Sequence, residues 1–206
     1  MKMILNIFTL MFLTLTVFSQ TENEVKMFNL MNQVRQNPTN NPVVIALDST
    51  IKSYELKLQS LKKRLTPVKI GNMIVKQKID SFNILKSIDL VNVYLSHLYN
   101  TKDFLKKQNP VKALTFDKDM YDAYKKYDLT KTKGAKHTDL GSAVRKSENI
   151  VCVETDPVLA LLNLIVDFPY DFNNKGHRDN IFKTTHTKTC VVENNLSEVT
   201  YLQGFK

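Results

Sequence analysis

Apolar positions first recur at helical spacing in "ENEVKMFNLMNQVRQNP", where Val25, Phe28, Leu30, Met31 and Val34 share a broad face and Pro38 ends the run. "NPVVIALDSTIKSYELKLQSLKKRL" keeps that rhythm to Leu65 with lysines on its outer side, so a second helix is predicted. "TPVKIGNMIVKQKI" breaks the period with Pro67, Gly71 and β-branched residues, and reads as a turn with a short extended piece. A long amphipathic helix follows in "DSFNILKSIDLVNVYLSHLYNTKDFLKKQ", with Leu85, Ile88, Leu90, Val93, Leu95 and Leu98 as its core face and His97 within that apolar pattern. Pro110 breaks the chain again, "ALTF" is short and apolar, and Asp117 is placed to cap a helix whose stripe is Met120, Ala123, Tyr124 and Tyr127.

The later part changes character. "KTKGAKHTDLGSAVRKS" is polar, carries Gly134 and Gly141, and reads as a loop. "ENIVCVE" alternates like a strand, Asp156 and Pro157 open an apolar helix "VLALLNLIVDF", and "THTKTCVVEN" and "EVTYLQGF" are strands joined by a turn at "NNLS". The expectation is one α+β domain, helices first and short strands late. At the other end, a basic start at Lys2 and an apolar run over residues 3–18 form a secretory signal peptide, cut after Ser19, leaving 20–206 as the domain. That run is short for a spanning helix and nothing later is long and apolar enough, so a secreted or periplasmic protein without a transmembrane segment is expected.

The net charge of +9, or +8 once Lys2 leaves with the signal peptide, suits anionic lipid, glycan or protein partners. Lysine outnumbers arginine and aromatics are not interleaved with it, which argues against nucleic acid. In an oxidising compartment Cys152 and Cys190 are expected to bridge. If the source is eukaryotic, Asn195-Leu196-Ser197 is a glycosylation acceptor on a turn.

Candidate chemistry sits at the junctions between elements: His137 in the glycine-flanked loop, Glu148 at a strand start, Asp167 at a helix end and His177 after Gly176. Imidazoles and carboxylates of this kind hold Zn2+, with His137 and His177 as the metal ligands, or share a proton in acid–base work. Gly176 is expected to permit the close turn that aims His177, Arg178 to be a surface or salt-bridge residue, and His186 to be exposed. No G-x-S-x-G or H-E-x-x-H occurs, and neither cysteine has an obvious histidine partner.

In order, "KHTD", "SENIV", "LLNLIVDF", "GHRDNIF", "TKTCVV" and "YLQGF" resemble the motif series of the CAP superfamily, also called SCP-like extracellular domains, in its microbial branch. "LMNQVRQNP" resembles the first family helix with its Asn-x-x-Arg, and "NPVKALTFDKDM" the segment before the second. Residues 51–80 match poorly and read as a helical extension or insertion.

The resemblance implies an α-β-α sandwich, a small antiparallel sheet between helices, with a large cleft holding a tetrad of His137, Glu148, Asp167 and His177. It departs from the family at Asp167, often Glu elsewhere, at Ser147 in place of Gly, in the longer "FPYDFNNK", and at Thr189 and Cys190, where glycines are usual. It implies a secreted binding module whose cleft takes a divalent metal and whose basic surface meets lipid or sterol, glycan or protein. The alternative is a peptidase-like hydrolase with Glu148 as base and His177 or a metal activating water.

Overall fold

A computed structural model describes residues 20–65, 68–70, 73–75, 81–127, 137–168, 175–194 and 199–206. The signal peptide, the "NNLS" turn with its glycosylation acceptor, and most of "FPYDFNNK" lie outside the described residues.

The chain forms α1 (Glu22–Gln36), α2 (Pro42–Leu65), β1 (Val68–Ile70), β2 (Met73–Val75), α3 (Ser81–Lys107), β3 (Thr115–Phe116), α4 (Lys118–Lys126), β4 (Ser147–Cys152), α5 (Pro157–Val166), α6 (Gly176–Phe182), β5 (Lys188–Glu193) and β6 (Val199–Phe205). It is an α+β arrangement. At the starts of α1, α2, α4 and α5, side-chain oxygens satisfy backbone donors that would otherwise stay unpaired. Thr21 and Glu24 form a reciprocal capping box on α1. Asn41 accepts from Val43 and Val44 at α2, Asp117 from Met120 at α4, and Asp156 from Val158 and Leu159 at α5, where Pro157 opens the helix.

Helices α2 and α3 run back along one another, joined through the antiparallel β1–β2 pair with Ile70 opposite Met73. The described residues of the 51–80 segment thus lie in the second half of α2 and in the β1–β2 pair. The core face of α3 differs from the sequence expectation. Ile84, Ile88, Val91, Leu95 and Leu98 are buried, whereas Leu85, Leu90 and Val93 point outward. The first half of α3 is apolar on both sides, so periodicity alone does not choose which side packs on α2.

The main sheet has the order β3-β5-β6-β4. Its β5–β6 and β6–β4 pairs are antiparallel, but β3 pairs with β5 in parallel, so the sheet is mixed and not wholly antiparallel. The reason lies in α1. Asn32 takes both backbone groups of Leu114 through its amide, and Arg35 donates to the Lys112 carbonyl while accepting Val111 N–H on its own. That clamp lays residues 111–116 alongside β5 in its own direction, where Thr115 and Asp117 donate to Thr187 and Thr189.

Alternation along the strands sends side chains to opposite faces. Val191, Tyr201 and Phe205 join the larger core, in which α1 and α5 contribute Met27, Met31, Val34, Leu161 and Ile165. Cys190, Val192 and Leu202 face α4 and its Met120, Tyr121 and Tyr124. Buried Glu24 ties these parts together by accepting from Tyr121 Oη (2.9 Å), Glu193 N (2.8 Å) and Lys125 Nζ (2.7 Å).

The expected disulfide does not form. Cys190 on β5 pairs opposite Gly204, whereas Cys152 on β4 pairs opposite Val199. The two therefore flank β6 and are offset by five residues, roughly 16 Å along the strand. A disulfide needs Cα atoms within about 7 Å. Cys190 is buried and Cys152 exposed.

Candidate functional site

Glu148, near the start of β4, and Asn149 after it point to opposite faces of the sheet, so one strand serves two halves of the site. The Glu148 carboxylate is completely buried. It accepts from Thr138 N (2.9 Å) and Thr138 Oγ1 (2.7 Å), meets His137 Nδ1 at 2.9 Å and lies 3.3 Å from Arg145 Nε. Arg145 also donates to the Thr138 carbonyl at 2.6 Å, locking the loop carrying His137 onto β4. Asn149 donates to the His177 carbonyl (3.1 Å) and to Gln203 Oε1 (3.2 Å), and accepts from Asn180 Nδ2 (2.9 Å), which fixes α6 against the sheet.

The second half lies between α5 and α6. Asp167 is the C-cap of α5 with φ 55° and ψ 45°, a left-handed backbone that a non-glycine residue seldom adopts. In that conformation its carboxylate reaches forward to α6, accepting from His177 N (3.1 Å) and meeting His177 Nδ1 at 2.7 Å. Buried Lys175 closes the return by donating to the carbonyls of Val166 (3.2 Å) and Asp167 (3.0 Å) and to His97 Nδ1 (3.0 Å). His97 is accordingly buried, edge-on to Phe168. The turn that aims His177 is therefore made at Asp167 and not at Gly176. Gly176 has open space around it and no positive φ. Arg178 is not a surface residue. It is buried, donating to Ile165 O, Asn100 Oδ1 and Thr101 Oγ1 and stacking 4.7 Å from the Phe104 ring. Burial holds its guanidinium below the ordinary arginine range.

His137, Asp167 and His177 line one cavity of about 590 Å3, with Glu148 behind His137. The histidine side chains differ in access, 60% exposed for His137 and 21% for His177, while both carboxylates are buried. Since each carboxylate accepts, Nδ1 of each imidazole is the donor and the lone pair of the neutral ring is on Nε2. Among the described residues no three of His, Cys, Asp and Glu gather tightly enough to hold a metal by themselves.

The opposite wall comes from the helical hairpin: Tyr54 and Lys57 of α2, and Leu90, Val91 and Tyr94 of α3. Tyr54 and Tyr94 pack at 4.6 Å between centroids and Phe168 meets Tyr94 edge-on at 5.1 Å. Burial first, and then the neighbouring Tyr54, raise the Tyr94 phenol above its ordinary range. Sequence reasoning missed this wall because its tyrosines sit at core-like helical spacing. Thr138 and Arg145 were also missed, although "KHTD" and "RKSE" place both within reach of Glu148 in sequence.

His186 lies apart from this cavity and, against expectation, is buried. Its Nε2 meets Ser147 Oγ at 2.9 Å and its ring stacks on Phe205. Burial, then the Lys183, Arg35 and Lys146 cations, hold its pKa down at about 4 against 6.5 for the free side chain. The unfolded chain therefore binds more protons between pH 4 and 6.5. This contribution to stability is complete above pH 6.5 and is lost as pH falls to about 4. Acid titration of the melting free energy should show a loss of about 3 kcal/mol across that window. A His186→Phe variant should flatten this part of the profile.

No family model matches the chain, and comparison with curated proteins and with solved structures finds no match.

Proposed function

We propose that the chain is a secreted binding module of the CAP superfamily, an α-β-α sandwich whose cleft takes a divalent cation, zinc foremost, on His137 and His177. Lipid, glycan or protein partners meet its basic surface. The observation that carries this reading is the pair of imidazoles on one cavity, each oriented by a buried carboxylate at Nδ1. An outer carboxylate of this kind fixes the tautomer and raises the basicity of a metal-ligating histidine. Two histidines leave an incomplete shell, so water or a bound partner's oxygen would complete it. A zinc ion there would supply Lewis-acid polarisation and a more acidic bound water. The protein's own part is to hold Nε2 of both rings as acceptors and to keep Glu148 and Asp167 away from bulk water. The ~590 Å3 cavity is in the size range of small-molecule sites.

The same pairs favour the hydrolase alternative as a second reading. An imidazole oriented by a carboxylate at the edge of an open cavity is the arrangement a general base requires. In that case His177 takes a proton from water, and Asp167 steadies the imidazolium.

Zinc titration by calorimetry tests both. The wild-type protein should bind one equivalent, and His137→Ala/His177→Ala should abolish the heat. Cys152→Ser, which removes the thiol on the same cavity, should leave it unchanged. An unchanged isotherm in the double-alanine variant would sink the metal site. Peptide or ester turnover by metal-stripped protein, lost in His177→Ala, would favour the second reading.

A further inference from the structure

The outward side of α3 is as ordered in sequence as its core side. Phe82, Leu85, Leu90 and Val93, together with Lys86 and Asp89, follow the i, i+3, i+4, i+7, i+8, i+11 spacing of a single helical face. These apolar residues are exposed, Phe82 to 75% and Leu90 to 61%, while the opposite face carries Ile84, Ile88 and Val91 into the core. An apolar stripe of this length on a helix that already buries one face calls for an occupant.

Charge points to which one. On α2, the helix paired with α3, Lys52, Lys57, Lys63 and Arg64 are exposed to solvent. Residues 51–65 and 81–93 together hold six Lys and Arg against two Asp and Glu, a net +4 out of the whole chain's +9. Concentrated like charge opposes docking this face on a second copy of itself. The same combination, an exposed apolar helical stripe on a hairpin of net positive charge, is what an interfacial helix offers to a bilayer carrying anionic headgroups. There the apolar side chains enter the acyl boundary and each lysine near the surface adds attraction.

We infer that the α2–α3 hairpin is a docking surface for an anionic lipid bilayer, with the exposed stripe of α3 inserted at the interface and the α2 lysines against the headgroups. Leu90 and Lys57 also line the cleft, so docking through this face brings the cleft mouth to the membrane. The inference does not require the cleft to hold a metal, and its failure is separate from that of the zinc reading.

The test is vesicle co-sedimentation of the full chain with phosphatidylcholine alone and with phosphatidylcholine containing phosphatidylglycerol. Wild type and variants share the same N-terminal segment, so any difference between them belongs to the hairpin. The wild type should sediment with the anionic vesicles and be released by high salt. Phe82→Ser/Leu85→Ser/Val93→Ser should reduce partitioning at least about tenfold with an unchanged circular dichroism spectrum. Lys63→Glu/Arg64→Glu/Lys86→Glu should reduce it about a hundredfold. The chain contains no tryptophan. Phe82→Trp therefore introduces a sole indole, excited apart from the tyrosines, whose emission should shift to the blue with anionic vesicles only. Equal sedimentation of the triple-serine variant, or indole emission from the Phe82→Trp variant that ignores vesicles, would overturn the proposal. A halving of the protein's mass in solution on serine substitution would also do so, by assigning the stripe to a second copy.

Discussion

Glu148→Gln is expected to destabilise the protein by about 3 kcal/mol and to release His137 from its fixed orientation. The carboxylate has no exposure and is surrounded by donors: Thr138 N–H and O–H, His137 Nδ1 and Arg145. An amide keeps one acceptor oxygen but turns its NH2 toward groups that also donate, and leaves Arg145 without its counter-charge. For a chain of this size, about 3 kcal/mol corresponds to a melting temperature lower by roughly 6–12 °C. The local consequence is separable from the global one. At the proposed metal site, zinc affinity should fall about 10- to 100-fold even at temperatures where the variant is fully folded. Calorimetric melting together with zinc titration measures both. A variant that melts like the wild type would show that the Glu148 network does not hold the His137 loop.

Gly204→Ala should cost about 2–3 kcal/mol, an overpacking cost at a position that carries no functional group. A Cβ there would lie 2.5 Å from Met120 Sδ and 2.6 Å from the Tyr124 ring. The thioether can turn aside, but the ring cannot. Tyr124 is fully buried between α4 and the sheet. Burial, and next the nearby Glu148 charge, push its phenol far above the ordinary tyrosine range. Gly204 stands directly across from Glu148 on β4 and from Cys190 on β5, so relief by moving β6 would also displace the carboxylate that orients His137. Tyr124→Leu should recover part of the loss in the double variant, and a coupling energy near zero in the double-mutant cycle would refute the steric account. Close approach of the sheet to α4 is provided on β6, by Gly204, across from Cys190 on β5.

Helices α1 to α5 and the late strands are legible in the sequence because each rests on local chemistry, whereas α6, seven residues long, and the two-residue β3 are too short to show a period. Thr21, Asp117 and Asp156 sit one residue ahead of helical patterns, and β-branched alternation marks β4, β5 and β6. The candidate histidines and acids were legible as residue types at element junctions. Their division into two pairs was not, because a hydrogen bond between residues 167 and 177 depends on a left-handed backbone at Asp167 that has no glycine to announce it. Arg178 and His186 looked like surface residues in polar stretches. They are buried because distant elements supply the partners that make burial tolerable, the Ile165 carbonyl, Asn100 and Thr101 for Arg178 and the Ser147 hydroxyl for His186.

The sequence by itself therefore determined the α+β class, the boundaries of the longer elements to within a few residues, and which side chains are candidates for proton-transfer or metal-binding chemistry, since periodicity and capping act over single turns. Only the tertiary structure decided which face of α3 packs, that β3 joins the sheet in parallel, that Cys152 and Cys190 lie too far apart to bridge, and that the hairpin closes over the cleft as a wall of Tyr54 and Tyr94. Each of these depends on which long-range surfaces are buried together, and burial is set by the whole core, in which a local apolar pattern is satisfied equally well on either face of a helix.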